Sequence, residues 1–169
     1  MRSTRIPPGI RHGSARGEGT FFRYDGSRFY MSRDGVEADY LEAGVPLEVE
    51  AAWLEELKHE KLRHLSQKGN WQVLYFFLHH SDLGHLAEFI QAEPRGMLWE
   101  RCSYVEKLLM YAGEVKRGVR DPTLVSQAVG KALFEAERLL KRARSDASIG
   151  RIRAVMLQAR HLLRDAKVD

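Results

Sequence analysis

The chain has 169 residues, of which 44% are hydrophobic and 30% charged, and its net charge is +4. That is the length of about one domain with an ordinary globular composition, too apolar for full disorder. The single cysteine excludes an internal disulfide scaffold, and the longest apolar run, the six residues from Val73 to Leu78, falls far short of the ~20 that a membrane-spanning helix needs.

The first residues hold no apolar stretch of the kind a secretory signal carries, so a cytoplasmic protein without a membrane partner is the expectation. Residues 1–19 contain four Gly, two Pro and four Arg, which opposes helix and strand alike and points to an irregular basic arm. Thr20 to Tyr24 and Ser27 to Ser32 are two aromatic-rich runs joined by Asp25-Gly26. Asp-Gly supplies the positive φ angles of a tight hairpin turn, so these residues are expected to form a β-hairpin. Residues 36–43 favour a short helix stopped at Gly44.

From Pro46 onward the periodicity is helical. Leu47, Leu54, Leu57 and Leu65 mark a helix over 46–66. Residues 71–79 are apolar on nearly every side, as a buried core helix is. Further helices are expected over 82–92 with Ser81 as cap, over 97–117, over 122–144 opened by Asp121-Pro122, and over 147–167. The last two are joined by a loop short enough to make them an antiparallel hairpin, expected to pack on 97–117. The fold class expected is therefore mainly α with a minor β part (α+β). It consists of a single domain over 20–169, with the hairpin and a short helix in 20–45 and a bundle of about six helices.

Catalytic chemistry finds little support. His59 and His64 are five apart, not the four that bring two imidazoles to one zinc. Cys102 lies within the apolar stripe Leu98, Val105, Leu109, where burial suppresses a thiolate. No phosphate-cradling or nucleophile-elbow motif occurs, so no catalytic residue and no cofactor are assigned. One metal arrangement is worth weighing. His79, His80 and His85 bracket a junction, with Asp82 and Glu88 three residues to either side of His85, the residue types of a divalent-metal site and hence of a metal-dependent enzyme.

Two other features point to binding. Trp99 and Met110 lie on the side of their helix away from Cys102, and the aromatic Phe29 and Tyr30 cannot both face one side of a strand, so these four are interface candidates. Charge is also uneven. Residues 20–93 carry seven basic and thirteen acidic groups, residues 94–169 sixteen basic and nine acidic. Arg153, Arg160 and Arg164 fall within about 40° of one another around a helix axis. With no acid from 147 to 164 they form a basic stripe. The leading expectation is a non-enzymatic helical module that binds a protein partner or forms a homo-oligomer. The alternative is a nucleic-acid-binding protein using that stripe and the basic arm.

Overall fold

The structure, a computed structural model, describes residues 15–118 and 121–164. Among the described residues every regular element is helical: nine α-helices, one 3₁₀ turn and no strand. They divide into two compact units, one ending at Glu60 and the other beginning at Lys61.

The first unit comprises α1 (Ala15–Arg23), α2 (Arg28–Arg33), α3 (Glu37–Glu42) and most of α4 (Leu47–Arg63). The expected β-hairpin is absent, and the protein is mainly helical without a β component among the described residues. Asp25 and Gly26 do take positive φ, 51° and 70°, as a hairpin turn would require. They use it instead to stop a helix. The Gly26 amide donates to the Phe21 carbonyl at 2.9 Å and the Asp25 amide to that of Phe22 at 3.3 Å, the pair of bonds that closes a helix end on a left-handed residue. Ser27 then caps α2, its hydroxyl accepting from the Tyr30 amide.

Packing decides between the two structures that the Asp-Gly signal allows. A lone hairpin is marginal in water, whereas helical spacing buries Phe21 against Trp53 and Tyr40, with ring centroids 5.4 and 6.4 Å apart. Phe21 also closes over Gly26, where a Cβ would lie 2.8 Å from the ring. Behind this cluster Glu50 accepts from Arg28 at 2.6 Å and from the Tyr40 hydroxyl at 2.7 Å. Burial, together with that bond to a carboxylate, holds the Tyr40 hydroxyl well above the usual tyrosine range. Of the arm expected over 1–19, residues 1–14 lie outside the described residues. Residues 15–19 open α1, where Arg16 reaches Asp39 at 2.5 Å.

The second unit holds the 3₁₀ turn His64–Ser66, α5 (Trp71–His79), α6 (Leu86–Gln91), α7 (Leu98–Arg117), α8 (Pro122–Leu140) and α9 (Asp146–Arg164). α5 buries Val73, Leu74, Phe76 and Phe77, as its unbroken apolar run implies. α8 starts where the sequence places it, with Asp121 Oδ1 accepting from the Thr123 and Leu124 amides and Pro122 in the first turn. Ala128, Ala132 and Ala136 are buried along one face of α8, and α7, α8 and α9 pack pairwise. Methyl side chains let helix axes approach closely, so this stripe sets the spacing of the three long helices.

α6 is shorter than the expected 82–92. Ser81 sits at φ 52° and does not start a helix. Residues 82–85 are instead pinned to α7 by Tyr111, whose hydroxyl donates to the Asp82 carbonyl at 2.5 Å and accepts from the His85 amide at 3.1 Å. Asn70 performs the same service at the other end of α5. Its buried amide donates to the Leu65 and Glu93 carbonyls, both at 2.8 Å, and its oxygen accepts from the Arg95 amide at 3.2 Å.

Candidate interaction surface

The histidine group resolves into structural contacts. The His80 ring lies on Phe76 with centroids 4.6 Å apart, and His79 stacks on Tyr75 at 6.3 Å. The His85 ring packs on Phe77 at 4.6 Å, with Nδ1 3.5 Å from Glu88 and Nε2 3.9 Å from Asp82. Among the described residues no three His, Cys, Asp or Glu side chains come together in a way that could hold a metal ion. His79 and His80 meet edge-on with centroids 5.2 Å apart, and each also rests on its own aromatic neighbour.

Cys102 is 3% exposed and lies among Val105, Ala136, Leu139, Ile152 and Val155. Burial pushes its thiol up, against a smaller opposing pull from Arg151. The neutral thiol is a poor nucleophile. A disulfide reagent at mildly alkaline pH is therefore expected to label Cys102 only as the protein unfolds. Rapid stoichiometric labelling of the native chain would contradict this burial.

The apolar candidates fare differently. Trp99 is 51% exposed and Met110 45%, at the two ends of a stripe along α7. At 1.5 Å per residue they are about 16 Å apart along the axis. Structure adds neighbours that periodicity did not single out. Met97, just before α7, is exposed, and Tyr75 on α5 is partly so. Trp71 meets Trp99 edge-on with centroids 6.2 Å apart. Lys107 lies between the two ends, with Nζ 5.2 Å from the Tyr75 ring centroid and 3.5 Å from Met110 Sδ. These side chains form one seam along α5 and α7. Phe29 and Tyr30 belong to the other unit. There Phe29 is exposed on α2, with Tyr30 edge-on to it at 5.3 Å and Arg33 over the Tyr30 ring.

The arginines of α9 separate by partner. Arg151 is bidentate on Glu106 of α7, both bonds 2.6 Å, and also reaches the Ser103 hydroxyl at 2.9 Å. On α8, Lys131 and Arg138 share the buried carboxylate of Glu135. Arg153, Arg160 and Arg164 are exposed, and none has an ion pair or side-chain hydrogen bond among the described residues. The stripe read from spacing thus lies on the outer side of α9, opposite the buried Ile152, Val155 and Ala159.

Leu157 sits in the middle of the stripe, 57% exposed. It falls four residues after Arg153 and three before Arg160, off the apolar stripe of its own helix, and that spacing was the signal for it. Beside this face a groove of about 250 Å³ separates α9 from α7, with Met110, Gly113, Glu114 and Arg117 on one side and Gln158, His161 and Leu162 on the other. It joins the Met110 end of the seam to the flank of the arginine face.

No protein family, curated protein or solved structure matches this chain.

Proposed function

We propose that this chain is a non-enzymatic helical interaction module that binds a protein partner, or a second copy of itself, through the α5–α7 seam. The observation that carries this reading is the exposure of Met97, Trp99 and Met110 together with Tyr75 along one edge of the second unit. Trp, Tyr and Met are enriched where protein interfaces form, and tryptophan most often carries the binding energy. Exposed large apolar side chains grouped on one edge of a folded domain mark a surface that is covered in use. Among the described residues no group of His, Cys, Asp and Glu side chains is placed to hold a metal ion, and the Cys102 thiol is buried.

The test compares the wild-type chain with a Trp99→Ser/Met110→Ser variant by sedimentation velocity, alone and with a purified candidate partner. Both changes are at exposed positions and should leave the helical circular dichroism spectrum intact. The expected result is an association that weakens by about 30-fold or more in the variant, the scale of a lost interface hot spot. Association of equal strength in both proteins would overturn the reading.

A further inference from the structure

We infer that the outward face of α9 docks an acidic amphipathic helix of a partner protein. The inference rests on the protein-binding reading above and adds the chemistry of the partner. Arg153, Leu157, Arg160 and Arg164 repeat at intervals of four, three and four residues, the spacing with which one helix meets another along a seam. The centre of the face is apolar, Leu157 being 57% exposed. Gly150 and Ala154 beside it are exposed and small, and a Cβ built on Gly150 meets no atom within 4 Å. A second helix can therefore lie close over this part of α9 without displacing anything.

Charge selects the kind of helix. The three arginines have no carboxylate partner among the described residues, whereas Arg151, two residues before the stripe, is bidentate on Glu106. Lys141, Arg142 and Arg144, exposed in the turn before α9, extend the positive field toward its start. Guanidinium forks bind carboxylates in bidentate fashion, and a complementary field speeds and orients docking. Arginine also binds phosphate, so the polynucleotide alternative must be weighed. A duplex or single strand would set phosphates and sugars against Leu157, burying apolar surface next to strongly hydrated groups. An acidic helix places an apolar side chain there and carboxylates on either side. Leu157 favours the protein.

The probe is a fluorescent helical peptide of about three heptads, with leucine at the first and fourth positions and glutamate flanking them. Its counterpart carries glutamine in place of glutamate, and the competing probe is an oligothymidylate of about 20 nucleotides. Binding is read by anisotropy against the full chain and against Arg160→Glu/Arg164→Glu, Leu157→Asp and Trp99→Ser variants, each checked for native helicity. The acidic peptide is expected to bind, to weaken about tenfold or more in the arginine and leucine variants, and to weaken further as salt rises. The glutamine peptide is expected to bind far less.

Four results would overturn the inference. They are no binding of the acidic peptide, binding indifferent to the arginine and leucine changes, preferential binding of the oligothymidylate abolished by the same arginine changes, or self-association of the chain that those changes dissolve. If the peptide fails while Trp99→Ser/Met110→Ser still breaks partner association, the α9 inference falls and the seam reading stands. If the peptide binds α9 and the seam variant changes nothing, the reverse holds.

Discussion

Replacing Asn70 with leucine is expected to destabilise the second unit by about 3 kcal/mol, the summed cost of orphaning several shielded backbone groups at about 1–3 kcal/mol each, partly relieved by water. Asn70 is 1% exposed and holds three backbone groups from two separate segments, the carbonyls of Leu65 and Glu93 and the amide of Arg95. Leucine has a similar size and would fill the site, so the loss isolates polar satisfaction from cavity formation. Asn70→Asp sharpens the test. A carboxylate can still accept from the Arg95 amide, but it has no proton for either carbonyl and adds a buried charge. Asp is therefore expected to be at least as damaging as Leu at neutral pH. Urea denaturation with an unchanged slope and a lowered midpoint is the measurement. A leucine variant of wild-type stability would show that the turn before α5 and the segment after α6 do not depend on this side chain.

Phe77→Ala is expected to cost about 3–5 kcal/mol, the range for removing a buried aromatic ring. Phe77 is fully buried, with its ring 5.3 Å from Phe76, 5.7 Å from Phe89 and 4.6 Å from His85. Phe89 in turn meets Tyr111 edge-on at 4.9 Å, and Tyr111 pins residues 82–85. The vacated volume therefore lies in the middle of a connected ring cluster, where collapse would have to move α6 relative to α7. A double-mutant cycle of Phe77→Leu with Phe89→Leu should show a coupling of about 0.5–1.5 kcal/mol, as edge-to-face aromatic pairs do. Additive losses would mean that the two rings act only through the area they bury.

Residues differ in how much of this could be read in advance. The long helices were legible because each carries a continuous apolar stripe and a cap written in its own residues, as at Asp121-Pro122. The Asp25-Gly26 dipeptide misled because positive φ serves a hairpin turn and a helix stop equally well. The choice between them was made by Trp53, 28 positions beyond Asp25, which gives Phe21 a place to be buried if the segment is helical. Ser81 misled in a similar way. It is a good capping residue, but the Tyr111 hydroxyl takes the following backbone for itself.

At the candidate surface, the sequence alone determined which side chains leave the apolar face of each helix. Trp99, Met110, Arg153, Arg160 and Arg164 follow from the helical period, which is a local property of the chain. It could not separate Arg151 from the other arginines, because its partner Glu106 lies 45 residues away and meets it only when α7 and α9 pack. Nor could it show that His79, His80 and His85 face different aromatic rings, or that Trp71 and Trp99 touch across two helices. Periodicity assigns each residue a direction from its own helix. Which directions end at a neighbour and which at solvent is decided by packing between helices, and on this protein that packing leaves the α5–α7 seam and the outer face of α9 open.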